Sequence, residues 1–209
     1  MGEQVSTDLG TGKRTVVQLP KVDPVVATVD EDGSIIGGAH GELLSVSPRG
    51  TVETLAHVGR WIEAVAADKL TVWFVDSHGS VGWVNRSGSS PVHEVGALKG
   101  AHSFGVVVVK ETLWVLTDKG SIQRFAQDGP RTALKGFKRG MSLTKCTNGT
   151  WITQENPDGR TATISLLDAD GRALTTWRPG YGVAYTACAD DQLWAVDVTG
   201  RLAKSPAAP

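Results

Sequence analysis

The segment Leu113-Trp114-Val115-Leu116-Thr117-Asp118-Lys119-Gly120-Ser121-Ile122 decides the fold. It reads as an apolar strand, a polar turn closed by glycine, and the start of a second strand. The same order returns at Leu193-Trp194-Ala195-Val196-Asp197-Val198-Thr199-Gly200-Arg201-Leu202. Aligned on that turn, Gly41, Gly79, Gly120, Gly159 and Gly200 follow one another at spacings of 38, 41, 39 and 41 residues. Six positions before each glycine stand Ile35, Trp73, Trp114, Thr153 and Trp194, with Trp151 two places earlier in the fourth copy. Two positions after come Leu43, Val81, Ile122, Thr161 and Leu202. A second turn glycine recurs at Gly50, Gly88, Gly129 and Gly171. Parallel columns at one period of about 40 residues mark an internal repeat.

Each unit reads as four short strands joined by turns. In the third copy these are Gly105–Val109, Thr112–Leu116, Ser121–Ala126 and Arg131–Leu134, with Gln127-Asp128-Gly129-Pro130 as a second turn. No stretch holds a helical period convincingly, and residues 58–69, the nearest, are claimed by the repeat as a strand. Four strands per unit of this length predict an all-β chain, a single five-bladed β-propeller of four-stranded antiparallel blades. The blades are expected at about 21–57, 58–97, 98–136, 137–178 and 179–209. Residues 1–11 read as a flexible tail. The last blade lacks an outer strand, and residues 12–19 resemble the fourth strands of other blades. They are expected to complete it, closing the ring between the termini and removing an exposed sheet edge.

The blade pattern Leu113-Trp114…Gly120-Ser121-Ile122…Gly129, repeated at Leu193-Trp194…Gly200-Arg201-Leu202, resembles that of the NHL-like and streptogramin-lyase-like (virginiamycin B lyase-like) propellers. The resemblance covers nearly the whole chain and implies a propeller. For the lyase-like branch it also implies a His base and a divalent metal on one face. His102 with Asp76, Asp118 or Glu155 would take those parts.

Composition excludes other classes. With 40% hydrophobic and 21% charged residues the chain is globular rather than disordered. A formal charge of -1 gives no global pull on nucleic acid or an anionic membrane. No apolar run has the length of a signal peptide core or a membrane span. The chain is therefore expected in the cytoplasm, a reducing compartment, or carried out as part of a virion-like assembly. Cys146 and Cys188 both fall at the end of an innermost strand, matched elsewhere by Val29, Ala66 and Val108. They read as packed free thiols, with a disulfide as the alternative if adjacent blades bring them together.

Several motifs are incomplete. Gly10-Thr11-Gly12-Lys13 lacks the flanking residues and the helix of a phosphate loop. There is neither a zinc-spaced His/Cys cluster nor a nucleophile elbow. No catalytic residue, metal or cofactor is assigned.

Propeller connectivity points to one face, where the loops entering the inner strands surround the axis. Those loops carry Lys21 and Asp23, Arg60 and Trp61, His102 and Phe104, Lys138 and Arg139, then Arg178 and Tyr181. Cationic donors beside aromatic faces suit an acidic group, a sugar or a partner's loop. The plain alternative is that turns are polar and Trp61 caps the core. His40 and His78 read as solvent-exposed turn residues. Trp83 and Trp177 fall outside the repeat columns, either packed between blades or marking a contact at the rim. The expected function is non-catalytic: a binding or assembly propeller recognising a protein partner or a glycan, such as a virion or phage-tail subunit. A metal-dependent lyase or hydrolase is the alternative. Nucleic acid and membrane insertion are not expected.

Overall fold

A computed structural model describes residues 2–7, 14–19, 26–29, 33–88, 90–189 and 192–205, with no helix among them. Among these residues, therefore, no helix is long and apolar enough to cross a membrane. The chain divides into two compact units, Met1–Ala97 and Leu98–Pro209.

In the first unit, β1 (Gly2–Thr7) pairs with β2 (Arg14–Leu19) in a two-stranded sheet. The first blade is β3 (Val26–Val29), β4 (Ile35–Ala39), β5 (Glu42–Val46) and β6 (Val52–His57). The second is β7 (Ile62–Ala67), β8 (Thr71–Asp76), β9 (Ser80–Asn85) and β10 (His93–Ala97). In the second unit, the third blade is β11 (Ser103–Val109), β12 (Thr112–Thr117), β13 (Ser121–Ala126) and β14 (Gly129–Lys135). The fourth is β15 (Gly140–Cys146), β16 (Gly149–Glu155), β17 (Ala162–Leu167) and β18 (Ala173–Trp177). The last blade is β19 (Tyr185–Ala189), β20 (Gln192–Val196) and β21 (Leu202–Lys204). Every blade is an antiparallel meander in chain order, so the repeat does build a five-bladed propeller.

Packing between blades supplies the core. In the first unit Ile36, Leu43 and Leu55 of one blade meet Ile62, Val65, Val72 and Phe74 of the next. In the second, Val107, Trp114, Leu116 and Ile122 meet Leu143 and Ile152, and Trp151, Ile164 and Leu166 meet Leu193 and Ala195. Each such aliphatic side chain contributes about 1.5–3 kcal/mol on leaving water. The second strand of the second blade, Thr71–Asp76, is buried throughout and reads as a continuous apolar run. Trp73, Trp114 and Trp151 are buried as their shared column requires, while Trp194 is only half-buried. Trp83 is packed rather than displayed: it stacks on His93 at 4.2 Å and leans on Trp73 at 6.5 Å between centroids. Trp177 packs against the cluster around Ile164.

Two expectations are corrected at the N-terminus. Residues 2–7, read as tail, form β1, and β2 takes β1 as its hydrogen-bonded partner. The last blade accordingly has three strands, β19–β21, rather than four completed by residues 12–19. The physical reason is loop closure, since β1 is the strand nearest to β2 in the chain and satisfies its ladder locally.

The cysteines are also corrected: Cys146 and Cys188 form a disulfide, with Cα atoms 5.5 Å apart. Trp151 pairs with Thr144 and Trp194 with Ala187, so on the tryptophan register the two cysteines lie one position apart. Side chains alternate along a strand. Cys146 therefore points with Thr144 toward the last blade, and Cys188 points back with Thr186; the Thr144 and Thr186 hydroxyls meet at 2.6 Å. Two truly equivalent residues would both point the same way and never meet. The reducing-compartment expectation rested partly on free thiols and loses that support.

Candidate functional site

The loops ahead of the inner strands of the second and fourth blades are positioned by the turn glycine of the preceding blade. Gly41 has φ of 86°, and a Cβ there would lie 3.0 Å from the Arg60 backbone nitrogen. Gly120 has φ of 72°, and a Cβ there would stand 2.9 Å from Lys138 Cα. Glycine thus meets two demands at once, a left-handed turn and a close backbone approach. The Gly41 carbonyl also accepts from the Val58 and Gly59 amides, and the Gly120 carbonyl from Phe137.

A second bracket ties each loop to the turn of its own blade. The amide of Ser77 donates to Trp61 O, that of Asp118 to His102 O, and that of Glu155 to Arg139 O. Trp61, His102 and Arg139 are therefore one structural position in three blades. The alignment on glycine had grouped them loosely; the backbone hydrogen bonds make the match specific.

In the first unit, Arg60 Nη1 donates to Asp76 Oδ2 and to Ser80 Oγ, both at 3.1 Å. Asp76 is fully buried, and its other oxygen accepts from the His78 and Ser80 amides at 2.9 and 2.8 Å. The turn therefore holds a desolvated carboxylate that the Arg60 guanidinium compensates. Arg60 consequently orders the turn and is only in part available to a ligand. Trp61 is 41% exposed, with His40 edge-on to it at 5.0 Å between ring centroids. His40 is an exposed turn residue, as the sequence reading has it, and its ring also lies against Trp61.

In the second unit, the His102 amide donates to Asp118 Oδ1 at 3.1 Å, so this pair meets through backbone and carboxylate. Phe104 is 54% exposed and sits at a β-bulge, unpaired between Ser103 and Gly105. Met141 occupies the matching bulge of the fourth blade and is 41% exposed. An extra residue in one strand re-aims its side chain out of the ladder. Met141 was missed in the sequence because no residue type marks the bulge position, which carries Phe104 in one blade and Met141 in the next. Lys138, Arg139 and Arg178 are exposed. Arg139, at φ of 56°, donates to Asn156 O at 3.0 Å and lies 3.6 Å from Glu155 Oε2.

Tyr181 is half-buried, its hydroxyl 3.4 Å from Ala195 O and its ring 5.4 Å beneath the Arg201 guanidinium. Burial, and then the charge of Asp197, raise its phenol above the usual value. Tyr181 is thus a packing residue more than a displayed one. Lys21 and Asp23 lie outside the described residues. Of the pairs the lyase resemblance implied, Asp76 is committed to Arg60 and Glu155 lies beside Arg139. Among the described residues no group of three or more His, Cys, Asp or Glu side chains is placed to hold a metal ion.

No family model and no curated protein matches the chain. Solved structures do. The complex of BBS1N with ARL6DN aligns at a TM-score of 0.71 and 13% identity, covering 93% of this chain and 68% of that one. The designed protein Ika8 gives 0.65 at 10% identity over 93% and 74%. Hydrazine synthase of Kuenenia stuttgartiensis gives 0.61 at 12% over 88% and 66%. At such identities the likeness defines one thing, the class: this is a β-propeller.

Proposed function

We propose that the chain is a recognition or assembly propeller that binds a protein partner through the loops entering its inner strands. The observation that carries this reading is the set of exposed apolar side chains at that end of the inner strands. In the second unit Phe104 and Met141 are exposed there, as are the cations Lys138 and Arg139. Exposed apolar residues rimmed by charge are what partner surfaces use. The likeness to BBS1N, whose structure was solved in complex with ARL6DN, supports a protein partner. A glycan is the competing ligand for the same loops, and a virion or phage tail is the assembly we have in view.

The test is cross-linking capture with the full chain as bait in its native source, set against Phe104→Asp and Lys138→Glu. Capture of one defined protein, lost in both variants, is expected. Glycan binding without a protein would redirect the reading, and a chain retaining neither would end it.

A further inference from the structure

The formal charge of -1 on the whole chain hides a local excess of cations. The second unit, Leu98–Pro209, holds 14 Lys and Arg against 10 Asp and Glu. At the end of that unit where its inner strands begin, four described carboxylates already serve the chain. Asp118 accepts from the His102 amide, and Glu155 lies 3.6 Å from Arg139. Asp158 accepts from the Arg160 and Thr161 amides, and Asp197 from those of Thr199 and Arg201.

The cations at that end are not so held. Lys119, Lys138 and Arg178 are exposed, and among the described residues none of their side chains forms an ion pair. The fold gathers them at two successive blade junctions. A Cβ on Gly120 would stand 2.9 Å from Lys138 Cα, so the turn carrying Lys119 lies against the loop carrying Lys138. The Ala162 amide donates to Tyr181 O at 3.1 Å, which sets the turn of exposed Arg160 against the loop that follows Arg178. Phe104 and Met141, both exposed, occupy matching bulges of the two inner strands at the first junction. Those strands are neighbours, since a Cβ on Gly105 would lie 3.0 Å from Leu143 N.

We propose that the partner segment received by this end of the second unit is an acidic stretch of polypeptide carrying an apolar side chain. The inference rests on the protein-partner reading above and names the chemistry of that partner. Its carboxylates meet Lys119, Lys138 and Arg178, and its apolar residue rests on Phe104 and Met141. Charge complementarity fixes the sign: exposed cations without an internal partner steer and hold an anion, whereas the nearby carboxylates are already occupied. The two bulge residues distinguish a peptide from other polyanions. A nucleic-acid strand needs successive stacking faces. Met141 stands where a second ring would be required, and Tyr181 is half-buried beneath Arg201. A sulfated glycan would use the cations and gain little from Phe104 and Met141.

Fluorescence anisotropy of the full chain with a labelled Asp/Glu-rich peptide containing Leu tests it, beside the same peptide with Asn and Gln in place of the acids. The acidic peptide is expected to bind, more weakly as salt rises, and its neutral counterpart to bind at least about tenfold less tightly. Lys138→Glu combined with Arg178→Glu loses a similar factor, and Lys138→Gln repeats the readout should the double variant fold poorly. Lys110→Glu, in the turn at the opposite end of the third blade, leaves binding unchanged. Phe104→Ser with Met141→Ser weakens binding of the peptide but not its dependence on salt. Equal binding of the neutral peptide, or none of the acidic one, overturns the proposal. So does tighter binding of heparin or of single-stranded DNA than of the peptide. If the cross-linking capture still retains a protein in that event, this inference alone falls; if it retains none, the partner reading falls with it.

Discussion

Trp114 and Trp151 show how a single column carries stability in this molecule. Both are buried against the neighbouring blade, so truncation leaves a cavity that a strand-to-strand junction cannot close. Trp114→Ala is expected to cost about 3–5 kcal/mol, read from the midpoint of denaturant unfolding. Trp151 Nε1 is buried with no hydrogen-bond partner among the described residues. What this residue supplies is therefore area and shape, and its N–H is a liability. Trp151→Phe should accordingly lose much less than Trp151→Ala. Equal losses would mean that the indole nitrogen has a partner in solution. Asp76 belongs to the opposite class, a buried charge that the sequence reading named only as an acidic partner of His102. Nothing in a turn motif says whether its carboxylate faces water; the Arg60 guanidinium that compensates it comes from a loop 16 positions earlier.

Turns of the form Asp-x-x-Gly are the recurring device at the scale of elements. Asp168 accepts from the Arg172 and Asp170 amides, and Asp197 from the Thr199 hydroxyl and the Arg201 and Thr199 amides. Hydrogen bonds to the charged form hold both carboxyls, and that of Asp158, below the usual value of 3.8. A depressed folded value means stabilisation that is complete above the unfolded value and lost as pH falls through the folded one. Melting temperature should thus hold steady above about pH 5 and fall below about pH 4, with a shallower fall in Asp168→Asn. A profile identical in that variant would remove the turn from the account. The glycine that closes a turn is a second element-level test. Gly120→Ala forces a side chain into a left-handed backbone against Lys138. It is expected to cost about 1–3 kcal/mol and to loosen the loop carrying Lys138 and Arg139, seen as faster amide exchange there.

For the molecule as a whole, the disulfide is the strongest constraint that the repeat does not explain. Cys146 and Cys188 are separated by 42 residues and tie the inner strands of two successive blades. Reduction, or Cys188→Ala, should lower stability by about 2–4 kcal/mol. Thiol titration of chain unfolded without reductant is expected to find no free thiol, and two titratable thiols would refute the bridge. The candidate binding loops were legible because they follow the repeat. Arg60, Trp61, His102, Lys138 and Arg139 lie where the columns put them, ahead of inner strands. Phe104 was found by adjacency, whereas Met141 needed the bulge to be seen. The partial burial of Tyr181 beneath Arg201 was not legible, because it depends on a turn in the same blade.

The sequence alone determined the class of element and its count. Turn glycines and tryptophans at a common period leave few alternatives to four-stranded blades, since both the turn and the packing are local demands on residue type. Tertiary structure decided pairing and direction. Whether β2 completes the last blade or folds onto β1, and whether Cys146 and Cys188 face each other, turn on single-residue register and on which partner is nearest. A shift of one position reverses the side a residue faces, and no composition or period records it.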